Sequence, residues 1–214
     1  MRFDDSSRSD DTDPDWPPEM SFIVSRDESA LTELLFIRDS WRLRVNDHLP
    51  VSDRLPALEP TLEPAATSFS DSELISLGTR WGKAWQWAIA WSVDAVARQP
   101  KIQALAPGDT DALLAILPPR WTEALDDERF DREAWFAWQQ RLPPFDPPAF
   151  ADLPERRSLP ALVPAWHRGL EIMIVLQLAG AFSRKIAPNA LLLSHTTYET
   201  PEDFSVALRK FAAG

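Results

Sequence analysis

Residues 70–99 constrain the fold of this chain more than any other part of its sequence. The segment begins with Ser-Asp-Ser-Glu at residues 70–73, a capping box in which the first serine and the glutamate each satisfy a backbone N–H group. Arg98 and Pro100 are typical of a helix C-terminus, because proline cannot continue the hydrogen-bond ladder. We therefore predict a single helix of roughly 45 Å, long enough to cross a small domain.

Helical periodicity gives this segment aromatic side chains on two opposite sides. At about 100° per residue, one side collects an ordinary core face. That face comprises Leu74, Leu77, Gly78, Trp81, Trp85, Ala88, Ser92 and Val96. Trp87 and Trp91 project in nearly the opposite direction, and charged residues surround them. These residues are Glu73, Arg80, Lys83, Asp94 and Arg98.

The second aromatic side has two interpretations. A helix that is apolar on both sides is typically central, so that other segments cover Trp87 and Trp91. Alternatively the pair is open to solvent and anchors a partner, since tryptophan beside arginine is typical of binding hot spots. In that case the candidate partner-binding residues are Trp87, Trp91, Arg80, Arg98 and Asp94.

The composition excludes several classes of protein. The chain has no cysteine, which excludes thiol catalysis, thiolate metal sites and disulfides. It has neither a secretory signal nor an apolar run long enough to cross a bilayer, so we expect a soluble cytoplasmic protein without membrane contact. The net charge of −11 disfavours nucleic acid and favours a basic protein partner.

We expect one globular domain at residues 20–214, preceded by a disordered acidic tail at residues 1–19. The tail carries seven acidic residues against two arginines, and Trp16 at its end can pack onto the domain. Twenty prolines against six glycines predict stiff, extended loops. Residues 142–164 hold seven of these prolines, and we expect them to form an ordered strap without regular structure.

Shorter elements flank the long helix. Apolar and β-branched residues predict a strand at 21–25, and helical spacing predicts helices at 28–44, 112–117 and 132–141. Trp135 and Trp138 share one face of the last of these helices, which is the first candidate for covering Trp87 and Trp91. A proline-rich connector occupies residues 50–69.

The C-terminal part of the chain is typical of strands followed by a helix. We predict strands at 170–178, 182–186 and 190–198, the first covered on both faces because its apolar run is nearly continuous. Thr200 and Pro201 begin a last helix whose inner face holds Phe204, Ala207, Leu208 and Phe211. The fold class is α+β: predominantly helical, with a long central tryptophan-rich helix and a small sheet built from N- and C-terminal strands.

Signals for chemistry are weak. His167 and Glu171 are four residues apart, and with His195 they make an alternative set of metal ligands for a hydrolase. The strand predicted from residue 170 makes the required helix doubtful. In the strand at 190–198, alternation places His195, Thr197 and Glu199 on one side. No glycine pattern typical of a phosphate-binding loop occurs, and Ser183 and Ser194 lack a nucleophile elbow, so we expect no cofactor.

Three hypotheses for function follow. The preferred one is a non-enzymatic protein-interaction domain, of the adaptor, inhibitor or immunity type, that binds a basic partner through an acidic, tryptophan-bearing surface. The first alternative is the metal-dependent hydrolase. The second is a protein that binds an aromatic or carbohydrate ligand on tryptophan faces. The oligomeric state does not follow from the sequence.

Overall fold

A computed structural model describes most of the domain. The described residues are 16–26, 29–43, 45, 55–62, 69–105, 110, 117, 125, 129–142, 149 and 152–214. The acidic segment before Trp16, almost all of the helix predicted at 112–117 and much of the connector at 50–69 lie outside them. Trp16 packs beside Phe22, with ring centroids 5.8 Å apart.

Four strands form one sheet, and its strands come from both ends of the chain as predicted. They are β1 (Ile23–Ser25), β2 (Ile172–Leu176), β3 (Ser183–Ala187) and β4 (Ala190–Ser194). Their order is β1-β2-β4-β3, in which β1, β2 and β4 run parallel and β3 pairs antiparallel with β4. Every residue of β2 is buried, which confirms that this strand is covered on both faces.

Helices pack on both faces of this sheet. The first helices in chain order are α1 (Ser29–Ser40), α2 (Asp71–Val93), α3 (Ala95–Gln103) and α4 (Arg132–Gln139). They are followed by α5 (Pro154–Arg157), α6 (Leu159–His167), α7 (His195–Glu199) and α8 (Pro201–Ala213). Helices α1, α2 and α4 cover the face that carries Ile172 and Leu192, whereas α6, α7 and α8 cover the face that carries Met173 and Leu191.

The predicted start of α2 is confirmed, and so is its core face from Leu77 to Ser92. The hydroxyl of Ser70 accepts from the N–H of Glu73 at 3.3 Å, and the Glu73 carboxylate accepts from the N–H of Ser70 at 2.9 Å. Trp81 donates from Nε1 to the carbonyl of Leu34 at 2.5 Å and stacks on Trp85, with ring centroids 5.3 Å apart. The hydrogen bond holds α2 against α1, and Trp81 and Trp85 share one buried cluster with Ile172 and Leu192 of the sheet.

The predicted end of the long helix is wrong. Helix α2 ends at Val93, and Asp94, with φ −88° and ψ 9°, separates it from α3. As a result Val96 is exposed rather than part of the core face. Pro100 lies inside α3 and does not end it: the carbonyl of Pro100 accepts from the N–H of Ala104 at 3.0 Å, so helical hydrogen bonding continues beyond the proline.

Two further predictions near the C-terminus are corrected. From Pro154 onwards, helices α5 and α6 replace the strap expected at residues 142–164, whereas 143–148, 150 and 151 lie outside the described residues. Pro154 and Pro160 lie in first turns, where a missing N–H costs nothing, but Pro164 lies inside α6. The strand predicted at 190–198 stops at Ser194, whose hydroxyl accepts from Thr197 at 3.2 Å and caps α7. His195, Thr197 and Glu199 therefore lie on a helix, not on one side of a strand.

By contrast, the predicted inner face of α8 is confirmed: Phe204, Ala207, Leu208 and Phe211 are buried.

Candidate functional site

Trp87 lies on the outer face of α2 and is 49% exposed. One turn earlier Lys83 is exposed, and two turns away in either direction are the exposed side chains of Arg80 and Asp94. Together Arg80, Lys83, Trp87 and Asp94 form what we call the Trp87 surface. Because the opposite face of α2 is held in the core, the indole of Trp87 stands on a rigid support.

Trp91 is placed differently from Trp87. The guanidinium carbon of Arg98 lies 3.7 Å from the centroid of the Trp91 ring, and Arg98 also donates from Nη1 to the carbonyl of Trp91. Arg98 is itself buried, and the Trp91 Nε1 atom has no hydrogen-bond partner in the part of the chain that the structure describes. Asp94 separates the two helices, and Arg98, which covers this ring, belongs to α3. Trp91 and Arg98 therefore form an intramolecular pair.

The helix expected to cover Trp87 and Trp91 packs its own tryptophans elsewhere. In α4, Trp135 and Trp138 stack with ring centroids 5.4 Å apart, and Trp135 meets Phe36 of α1 at 5.2 Å. Trp138 donates from Nε1 to the carbonyl of Pro60 at 2.8 Å. This aromatic group belongs to the core between α1 and α4.

A groove lies on the other flank of α2, between this helix and the edge strand β3. Its volume is about 430 Å³. Its lining is Leu55, Trp85, Gln86, Ile89, Ala90, Val93, Arg184, Lys185, Ile186 and Leu192. Arg184 pairs with Leu192 in the sheet and so lies on the α2 face, whereas Lys185 pairs with Leu191 and its ammonium nitrogen is 4.4 Å from the Phe211 ring centroid. Among the described residues of the lining, the two charged ones are both basic.

A third group of polar side chains lies where β1 and β4 end. The hydroxyl of Tyr198 donates to Oε1 of Glu155 and accepts from Nη2 of Arg26 at 2.5 Å. Burial, and after it the Glu155 carboxylate, raise the pKa of Tyr198 well above its ordinary value. Oε2 of Glu155 is buried without a hydrogen-bond partner among the described residues.

This group, which we call the polar clasp, fits a structural role. The carboxyl ends of parallel strands are a common place for ligand sites, so the position alone would suit chemistry. However, the Tyr198 hydroxyl donates to Glu155 and accepts from Arg26, so it is hydrogen-bonded in both directions within the chain. Sequence reasoning missed the clasp, because 172 residues separate Arg26 from Tyr198 and no spacing rule connects them.

The alternative metal ligands do not come together. His167 ends α6, Glu171 accepts from the Asn189 side-chain amide at 2.8 Å, and His195 lies 3.1 Å from Glu199 within α7. Across the described ranges, no three histidine, aspartate or glutamate side chains are grouped so that they could hold a metal ion. In the same ranges no helix is long and apolar enough to cross a membrane.

Comparison of the chain with models of protein families, with curated proteins and with solved structures finds no match. The Trp87 surface, the groove and the polar clasp are therefore interpreted from their geometry alone.

Proposed function

We propose that this protein is a non-enzymatic protein-interaction domain, of the adaptor, inhibitor or immunity type, that anchors its partner through Trp87. The observation that supports the proposal is a tryptophan 49% exposed in the middle of a helix whose other face is buried. Tryptophan is enriched among the residues that dominate binding energy, because its large ring fills a pocket on the partner.

The rigidity of α2 beneath Trp87 lowers the entropic cost of binding a partner. Helix α2 is fixed by its capping box and by the hydrogen bond from Trp81 to Leu34. A ring carried on such a helix loses little freedom when a partner covers it, whereas ordering a flexible side chain or loop opposes association. Trp87 is therefore a better anchor than an exposed tryptophan on a loop would be.

The charges close to Trp87 decide the chemistry of the contact. The net charge of −11 attracts basic proteins to the chain as a whole, but interactions between exposed charges are largely screened beyond about 8–10 Å at physiological salt. Among the described residues of the Trp87 surface, Arg80 and Lys83 outnumber Asp94. We therefore expect the partner to present an apolar pocket for Trp87 with acidic groups at its rim. The net charge of the chain alone would instead favour a basic partner.

The test is quantitative capture from a lysate of the source cells, followed by binding measurements with the purified candidate. Trp87→Ala should weaken capture of a specific protein at least about tenfold, the effect of losing about 1.4 kcal/mol. Ile75→Ala is the matched control, because Ile75 is 51% exposed on the same helix. It should leave capture unchanged.

Circular dichroism and thermal unfolding of both variants establish that the fold is intact. The proposal is contradicted if every protein captured by the unmodified chain is captured equally by Trp87→Ala. It is also contradicted if the two variants lose the same partner to the same extent, because the effect would then not be specific to the Trp87 surface.

A further inference from the structure

We propose that residues 55–62 fill a peptide-binding surface of their own domain, and that an extended peptide of another protein can replace them there. We call these residues, Leu-Pro-Ala-Leu-Glu-Pro-Thr-Leu, the 55–62 segment. The groups that hold it belong to α1, to α4 and the residues just after it, and to the chain after β2. Because Trp87 lies on α2, the inference does not depend on the proposed function.

Side chains of α1 bind the backbone at the start of the segment. Arg38 donates from Nη1 to the carbonyl of Leu55 at 3.2 Å and from Nη2 to the carbonyl of Pro56 at 2.7 Å. Asp39 accepts at Oδ2 from the N–H of Leu58 at 2.7 Å, and its Oδ1 atom lies 2.5 Å from Nε of Arg38. The ion pair holds both side chains in place, and the contacts are made to backbone atoms, which every peptide has.

The end of the segment is held in the same way. Trp138 donates from Nε1 to the carbonyl of Pro60 at 2.8 Å, and Arg141 donates from Nη2 to the carbonyl of Thr61 at 3.3 Å. Two backbone hydrogen bonds join the middle of the segment to the chain after β2: from the N–H of Ala179 to the carbonyl of Ala57 at 2.8 Å, and from the N–H of Glu59 to the carbonyl of Gln177 at 3.0 Å. Main-chain hydrogen bonds supply the affinity when proteins bind extended peptides.

Leu58 supplies the specificity. Its side chain is 1% exposed in the core, whereas Leu55 and Leu62 are partly buried. Pro56 and Pro60 lie two residues to either side of it, and their carbonyls take part in the contacts described above. Proline restricts the backbone before binding and so lowers the entropy that binding costs. We therefore expect the partner peptide to have the pattern Pro-x-Leu-x-Pro.

Contacts that do not involve the segment hold the surface together. Trp135 of α4 meets Phe36 of α1, with ring centroids 5.2 Å apart. The segment is not one of the four strands of the sheet, and an isolated bridge joins Leu58 to Leu178. Because the contacts between α1, α4 and the sheet remain when the segment leaves, we expect the surface to keep most of its shape.

The segment leaves space that another peptide can use. Among the described residues, a cleft of about 360 Å³ lies between the segment and the end of α1. Its lining is Arg38, Asp39, Arg42 and Leu43 on the side of the helix and Ala57, Leu58, Thr61 and Leu62 on the side of the segment. Ala57 and Thr61 are small, so a peptide with larger apolar side chains at these two positions gains contacts that the segment does not make.

Hydrogen exchange of the unmodified chain tests whether the segment opens on its own. The N–H groups of Leu58 and Glu59 should be at least about tenfold less protected than the N–H of Ile174 in the buried strand β2, because opening of the segment does not require unfolding of the sheet. Equal protection of the three N–H groups would mean that the segment leaves only when the domain unfolds, and this would overturn the proposal.

Leu58→Ala in the full chain tests the binding directly. This substitution removes the buried side chain of the segment, so the segment competes less well for its own surface. A fluorescein-labelled peptide with the sequence of residues 55–62 should bind Leu58→Ala at least about tenfold more tightly than it binds the unmodified chain, as measured by fluorescence anisotropy. Circular dichroism establishes that the variant is folded, and if it is not, the exchange experiment decides the proposal.

Matched controls separate specific from non-specific binding. A peptide that carries Leu58→Ala should bind at least about tenfold more weakly, whereas one that carries Thr61→Ala, at an exposed position, should bind within about twofold of the original. In the protein, Arg38→Gln combined with Leu58→Ala should weaken binding at least about tenfold. Arg42→Gln removes the same charge from an exposed side chain beside the same cleft, and it should weaken binding less than about twofold.

Three results would overturn the proposal. The first is that the peptide does not bind folded Leu58→Ala saturably. The second is that the two altered peptides bind equally well. The third is that Arg38→Gln and Arg42→Gln weaken binding to the same extent.

Discussion

Tyr198 is the single tyrosine of this chain, and its hydroxyl joins β1 to two helices through Arg26 and Glu155. A buried hydroxyl that both donates and accepts a hydrogen bond stabilises a fold. When one of its partners is removed, the remaining buried polar group has lost its hydration without a hydrogen bond in return, and this lowers the free energy of unfolding. The clasp therefore connects residues from both ends of the chain at one point in the core.

The pKa of Tyr198 gives a prediction at the same scale. Its folded-state pKa is raised by burial and by Glu155, so the neutral hydroxyl is favoured in the native protein. The resulting stability is fully present below the unfolded pKa of about 10 and is lost as the pH rises above it, because the unfolded chain then releases a proton that the folded chain still holds. Absorbance at 295 nm should show tyrosinate in the native protein only well above pH 10.

The same titration in concentrated urea supplies the reference, and there Tyr198 should ionise near pH 10. Because the chain has one tyrosine, the signal belongs to this residue alone, and Tyr198→Phe should remove it. A native protein that ionises near pH 10 without unfolding would show that the clasp does not hold this proton.

At the scale of elements, α2 shows what local sequence determines. Its start follows from a capping box and its core face from periodicity, both of which are read from neighbouring residues. The end of α2 cannot be read from neighbouring residues, because the same periodicity continues past Asp94. The break there is accompanied by the packing of Arg98 on Trp91, which only the folded structure shows. The strand predicted at 190–198 was too long for a similar reason: the cap formed by Ser194 outweighed the β-propensity of the residues after it.

The candidate sites were predicted unevenly. Helical periodicity predicted that Trp87 lies opposite the core face, and the residue is 49% exposed; its role in binding a partner stays a prediction. The groove and the polar clasp were missed, because each joins segments that are remote in sequence: α2 meets β3, and Arg26 meets Tyr198. Sequence periodicity describes one helix or one strand at a time, so it does not predict tertiary contacts between remote segments.

The cap of α2 gives a prediction for this element. Ser70→Ala removes the hydroxyl that accepts from Glu73 and should lower the free energy of unfolding by about 1 kcal/mol, the usual cost of losing an N-cap side chain. Urea denaturation measures the change. Ser76→Ala, at an exposed position of the same helix outside the cap, should change stability by less than about 0.5 kcal/mol. Equal effects of the two substitutions would contradict the role of Ser70.

For the whole molecule, the sheet lies between two groups of helices, and the faces of α2 have three different surroundings. One face meets the core through Trp81 and Trp85, one flank borders the groove, and the outer face presents Trp87. Ten tryptophans are present, and most of them have packing roles within the domain. Among the described residues, an exposed tryptophan on a helix whose other face is buried is therefore not explained by core packing.

Fluorine NMR of protein labelled with 5-fluorotryptophan tests this claim most directly, with the Trp87 signal assigned from Trp87→Phe. In the free protein the Trp87 signal should shift between H₂O and D₂O, whereas the signals of Trp81 and Trp138, which are 2% and 1% exposed, should not. When the partner identified by Trp87-dependent capture is added, the Trp87 signal should move and lose its solvent shift. A Trp87 signal that shows no solvent shift in the free protein, or keeps its full solvent shift in the complex, would contradict the account.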